Sequence, residues 1–83
     1  MDLYRKRLLY KATHRGMKEA DTLIGGFAKA QLDLLSDVQL ASFDALLDEE
    51  DNDLLNWIME RVDAPKRIDS QLLNQIITFN GGL

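Results

Sequence analysis

Apolar residues recur at intervals of three and four along most of the chain, the period of a helix with one buried face. Over Leu3 to Thr13 the stripe is Tyr4, Leu8 and Ala12. From Met17 to about Gln31 it is Ala20, Leu23, Ile24, Phe27 and Ala28, and a third stripe follows as Leu40, Phe43, Leu46 and Leu47. Ser36-Asp37-Val38-Gln39 in front of the third is a capping box, in which the serine oxygen takes a late amide and Gln39 reaches back to the cap. A fourth helix, capped by Asp51 or Asn52, carries Leu54, Leu55, Ile58 and Val62 until Ala64-Pro65 stops it. Ile68, Asp69 and Leu73 fit a hydrophobic staple around an aspartate cap. The last helix carries Leu72, Leu73, Ile76, Ile77 and Phe79, and Asn80-Gly81-Gly82 releases the chain. The pattern predicts an all-α fold, a compact five-helix bundle forming a single domain over residues 1–83.

Glycines mark two places where this pattern needs explanation. Gly16 suits the C′ position after the first helix, where a left-handed residue closes the last turn. Gly25-Gly26 lies inside the second helix, where each glycine costs about 1 kcal/mol relative to alanine. Either the helix bends there or another helix crosses closely against the bare backbone; close crossing is the expectation.

Composition narrows the functional classes. The chain has no cysteine, which removes disulfides, thiolate zinc sites and thiol catalysis. No apolar run approaches the roughly 18–20 residues of a membrane span, and no signal-peptide h-region follows the first charges. The basic start runs directly into the rest of the pattern and reads as part of the fold. A soluble, cytoplasmic protein with no membrane partner is expected.

The net charge of −4 is unevenly placed. Residues 1–18 hold Arg5, Lys6, Arg7, Lys11, Arg15 and Lys18 against Asp2, a local sum of +5, and the remainder sums to −9. Such a dipolar molecule orients on a charged partner. Arg5, Lys6, Arg7 and Lys11 raise nucleic acid as an alternative ligand. The acidic remainder and the absence of further basic and aromatic readers on one face argue against it.

No catalytic set assembles. His14, the lone histidine, lacks the partners that a general base or metal ligand needs. The run Asp48, Glu49, Glu50, Asp51, Asp53 fits no EF-hand frame, because the sixth position is Asp53 or Asn56 rather than glycine. It reads as a solvated, helix-capping stretch rather than a metal site. Trp57 among Leu54, Leu55, Ile58 and Met59 reads as core, at an edge where its indole N–H finds a partner.

Arg15 and Glu19 have two readings. One is an exposed i,i+4 ion pair worth about 0.2–0.5 kcal/mol, in the weaker of the two orders. The other is a docking contact, with Gly16 admitting a partner to the backbone while Arg15 and Glu19 make directional polar bonds. Taken alone, these residues leave the choice open and lean toward the ion pair.

Arg15-Gly16-Met17-Lys18-Glu19 resembles the Arg-Gly-x-x-Glu hallmark of the SdhE family. These small assembly factors promote covalent attachment of FAD to the flavoprotein subunit of succinate dehydrogenase and related fumarate reductases. The likeness extends through Arg7-Leu8-Leu9-Tyr10, Asp21, Gly25, Phe27-Ala28, Leu35-Ser36, Phe43, Leu46-Leu47, Asp53-Leu54 and Trp57-Ile58. Ala20, Asn52 and Gly26 depart from the usual family residues.

The resemblance implies a five-helix bundle that is not an enzyme. Arg15, Gly16 and Glu19 would form its contact surface, flanked by Met17 and Asp21. The basic first helix, with Arg7 and Lys11, would help engage an acidic partner surface. Flavinylation joins the flavin 8α-methyl carbon to a histidine of the flavoprotein, and none of those groups belongs to this chain. FAD would accordingly be attached to the partner and not bound firmly here, and the chain would act as a monomer without nucleic acid.

Overall fold

The computed structural model describes residues 1–82 and contains five α-helices. They are α1 (Leu3–Thr13), α2 (Lys18–Gln31), α3 (Asp37–Leu47), α4 (Asp51–Ile58) and α5 (Ser70–Phe79), with a 3-10 turn at Leu32–Leu34 extending α2. The all-α bundle expected from the apolar spacing is what the chain forms.

Local chemistry sets most of the boundaries. Asp2 caps α1 by accepting from the Arg5 amide. Ser36 and Gln39 form the reciprocal capping box at α3. Asp69 accepts from the amides of Gln71 and Leu72 at the start of α5, with Ile68 packed against the core in the staple position. At the far end of α5, Gly81 takes a φ of 101° while Gly82 N–H reaches the carbonyl of Ile77. That is the closing pattern of a Schellman motif.

Helix α4 departs from the expected course. Glu50 rather than Asp51 or Asn52 occupies the cap position, and the helix ends at Ile58 instead of reaching Val62. Glu60 enters the left-handed region at φ 57°, its N–H bonds the Trp57 carbonyl, and the Arg61 N–H bonds that of Asn56. This second Schellman closure turns the backbone away four residues early and leaves Val62 exposed. Spacing did not reveal it, because glutamate is not a residue that announces a left-handed turn.

The core runs through all five helices. Leu8, Ala12, Ala20, Ile24, Phe27, Ala28, Leu40, Phe43, Leu46, Leu47, Leu54, Leu55, Ile58, Leu72, Leu73, Ile76 and Ile77 are buried, as their spacing predicts. Phe27 and Phe43 meet at its centre with ring centroids 5.8 Å apart. Besides Val62, three positions are more open than expected. Tyr4 is exposed with its hydroxyl donating to Asp44, Leu23 is half-buried, and Phe79 covers Phe27 edge-on while keeping one side in solvent. Trp57 is buried, and its indole N–H has no protein acceptor among the described residues and touches solvent at the core's edge.

Gly25 resolves the glycine pair. A Cβ there would lie 3.1 Å from the Ala12 carbonyl oxygen and 3.1 Å from the Thr13 methyl, so the end of α1 crosses directly on bare backbone. Gly26 has no such neighbour; its nearest is the Phe79 ring at 3.9 Å. Close crossing is therefore the work of one glycine.

Candidate functional site

The corner between α1 and α2 carries the Arg-Gly-x-x-Glu motif, and its residues divide into two groups. Thr13 ends α1, His14 caps it, and Gly16 follows at φ 89°, a conformation that costs an L-residue roughly 1–2 kcal/mol. Nothing lies within 4 Å of where a Gly16 side chain would begin. The residue is thus needed for its backbone conformation, two positions beyond the cap rather than at C′, and it leaves the backbone open.

Arg15 faces inward. Its Nε bonds Asp51 Oδ1 at 2.8 Å, one terminal nitrogen bonds the Leu47 carbonyl at 2.6 Å, and the other bonds the Glu49 carbonyl at 2.9 Å. The side chains of Arg15 and Asp51 are only 10% and 15% exposed. Leu47 is the last residue of α3 and Asp51 the first of α4, so one guanidinium ties the α1–α2 corner to the α3–α4 corner. The ion pair with Glu19 that spacing allowed is absent, and three of the five guanidinium N–H donors are spent on these internal acceptors. Asp21 also turns inward, accepting from the Arg15 backbone N–H across Gly16. These two expected contact residues hold the corner in shape.

Glu19 and Gly16 remain on the outside. Glu19 lies in the first turn of α2, where the helix dipole favours a carboxylate, and it bonds no group among the described residues. Met17 occupies the α2 cap position and is half-buried against the core. The two residues of the pair that looked equivalent in sequence thus have opposite roles: Arg15 braces, and Glu19 is displayed.

The basic residues of α1 divide in the same way. Arg5 donates to the carbonyls of Leu32 and Leu35 and to Asp2, pinning the start of α1 to the α2–α3 corner. Lys11 bonds Asp44 at 2.9 Å and Asp48 at 3.1 Å on α3 and just beyond it. Arg7, Lys6 and Lys18 are exposed and make no ion pair among the described residues. Lys11, expected to face a partner with Arg7, is already engaged within the fold. The set Arg5, Lys6, Arg7, Lys11 that raised nucleic acid keeps only two free cations. On the same outer side of α1, Tyr10 stacks on His14 with ring centroids 3.9 Å apart, and 63% of Tyr10 is exposed.

The acidic run also has work within the fold. Asp48 pairs with Lys11, Glu49 with Arg67 at 2.7 Å, and Asp51 with Arg15. No group of three or more potential metal-ligating side chains occurs among the described residues, and no helix there is long and apolar enough to cross a membrane.

The Tyr4–Asp44–Lys11 cluster has a pH signature. The bond from Lys11 holds the Asp44 carboxyl below its ordinary 3.8, and the bond to Asp44 lifts Lys11 above 10.5. A carboxylate pKa depressed by folding adds stability that is complete above the ordinary value and disappears as pH falls through the folded value. A raised lysine pKa adds stability that is complete below 10.5 and disappears as pH rises through the folded value. Both side chains are more than a third exposed, so each end of the range carries about 0.5–1 kcal/mol. Asp44→Asn is expected to remove the acid-side part. Urea midpoints of the variant should fall less than those of the parent between about pH 5 and pH 2. Parallel pH profiles would show that the cluster contributes nothing.

The profile of the family described as "Flavinator of succinate dehydrogenase" matches residues 6–80 of this chain. A mitochondrial succinate dehydrogenase assembly factor 2 from Dictyostelium discoideum is 36% identical over 72 residues, covering 87% of this chain and 51% of that protein. The protein of the same name from Meyerozyma guilliermondii is 43% identical over 74 residues, covering 84% and 55%. An FAD assembly factor SdhE from Acetobacter pasteurianus is 33% identical over 73 residues, covering 88% and 67%. The chain thus spans about half the length of the two mitochondrial relatives and two thirds of the bacterial one.

Proposed function

Because this chain belongs to the family of succinate dehydrogenase flavinators, we propose that it binds the flavoprotein subunit of succinate dehydrogenase and promotes covalent attachment of FAD to it. A fumarate reductase flavoprotein is the related client. The chain acts as an assembly factor, not as an enzyme, and the flavin belongs to the client. The expected setting is the cytoplasm, and the two relatives named mitochondrial mark the organelle as the alternative. A monomer fits a docking surface formed by a single corner.

The observation that carries this reading is the braced corner. Arg15 and Asp21 fix the backbone from inside, while Gly16 and Glu19 are presented outside with no internal partner among the described residues. A carboxylate held on a rigid helix end makes a directional, charge-assisted bond with little ordering cost. Arg7, on the exposed side of α1, adds a cation for an acidic client surface. The chain brings no acid–base set, so its contribution is to hold the client's histidine and bound flavin in a reactive arrangement.

Glu19→Ala tests this directly. The variant should melt within a few degrees of the parent, because Glu19 bonds nothing inside. It should lower both co-purification with the flavoprotein and covalent flavin, read by in-gel fluorescence, by at least about tenfold, the scale of one lost charge-assisted bond. Flavinylation at the parent rate would overturn the assignment.

A further inference from the structure

At the other end of α2 lies an open groove of about 680 Å³ between the 3-10 turn, the start of α3 and the outer face of α5. Its apolar floor is formed by Phe27, Leu34 and Phe79, with Leu34 74% exposed and Phe79 42%. The rim is made of carboxamides: Gln39, whose side chain is spent in the α3 capping box, and the four outer ones Gln31, Gln71, Asn74 and Gln75. None of these four side chains bonds another protein group among the described residues. Not one residue lining the groove is charged, although 29% of the chain is.

This lining selects a particular occupant. Each carboxamide offers a donor and an acceptor together, the same pair that a peptide unit presents. A helix keeps its backbone groups for itself, whereas an extended segment has them available for such a rim. An uncharged wall gives a charged side chain no compensation for lost water, and an apolar floor rewards an apolar one. We propose that the groove binds an extended, uncharged segment of the client flavoprotein, with one apolar side chain seated against Leu34 and Phe79.

The proposal rests on the flavoprotein being the client. It adds a second attachment point, distant from the first: Glu19 and Gln31 lie near opposite ends of α2, about 18 Å apart at 1.5 Å per residue. Two separated contacts fix the orientation of a bound protein, which a single corner cannot do. They also combine multiplicatively, since the second forms at a high effective concentration once the first is made.

The test is a titration of the purified flavoprotein subunit with four full-length chains: the parent, Glu19→Ala, a Leu34→Ser plus Gln75→Lys variant, and the three changes together. Leu34 and Gln75 are exposed, so the groove variant should melt close to the parent, which thermal unfolding verifies. The groove changes should weaken binding at least tenfold, with further weakening when Glu19→Ala is added. A photocrosslinker at position 75 should capture an uncharged, non-helical segment of the flavoprotein.

Affinity of the groove variant within twofold of the parent overturns the proposal. So does a crosslink to a helix of the flavoprotein or to a second copy of this chain. If Glu19→Ala weakens binding and the groove variant does not, the groove fails while the docking corner stands. If the parent itself does not bind the subunit, both readings fail together.

Discussion

Arg15→Ala is expected to destabilise the fold by about 3–5 kcal/mol, the cost of leaving a poorly solvated partner charge unpaired. The change strands the Asp51 carboxylate and removes the donors from two carbonyls, at Leu47 and Glu49. For a domain of this size that is a large share of the total stability, and the melting temperature should fall by more than about 12 °C. Arg15→Lys should recover less than half of the loss, because one ammonium cannot serve three acceptors set around a planar fork. A double-mutant cycle with Asp51→Asn isolates the pair. If Arg15→Ala melts within a few degrees of the parent yet loses the flavoprotein, the guanidinium acts at the interface and the bracing role is wrong.

This expectation changes how the motif works. A defect at Arg15 and a defect at Glu19 would both impair assembly, but for different reasons. Loss of Arg15 frees two corners from one another, so the docking surface loses its shape along with its stability. Loss of Glu19 removes a contact from an intact surface. Thermal unfolding separates the two, since only the first should shift it.

The second large effect concerns Gly25. Gly25→Val should cost at least about 2–3 kcal/mol, as expected for overpacking against atoms that cannot move aside. Its Cβ would press on the Ala12 carbonyl, which is part of the α1 backbone, and on the Thr13 methyl. Relief requires α1 to shift away from α2, and these two helices form the corner that carries Gly16. The neighbouring change, Gly26→Ala, should have the opposite sign. It gains about 1 kcal/mol of helix propensity and meets only ordinary contact with Phe79 at 3.9 Å. Urea denaturation with unchanged m-values should place the two variants on either side of the parent. Equal effects at both glycines would mean that the pair serves a bend instead.

Both predictions depend on information of a kind that the sequence carries poorly. The capping box at Ser36 and the staple around Asp69 were legible because each is completed within a few residues. The core was legible because burial repeats with the helical period; Tyr4, Val62 and Phe79 at the ends of stripes fell outside it, and Leu23 within the α2 stripe is half-buried. The early end of α4 was hidden by Glu60, a non-glycine residue in a left-handed turn. The 3-10 turn after α2 was equally silent, since its residues are compatible with a continuing helix.

The set of helices, the caps at Ser36 and Asp69, most of the buried faces and the family were thus readable from the residues alone. These follow from local hydrogen bonding and from a periodicity that any short window displays. Which charged residues belong to the fold and which are left for a partner emerged only when the helices were packed together. The sequence shows six basic side chains in residues 1–18 as one block. Folding engages Arg5, Lys11 and Arg15 with acceptors 27 to 37 residues away and leaves Lys6, Arg7 and Lys18 outside. A guanidinium has no period and no local signature of its bond partner. Its role is set by where helix ends meet in space, because that is where unpaired carbonyls gather.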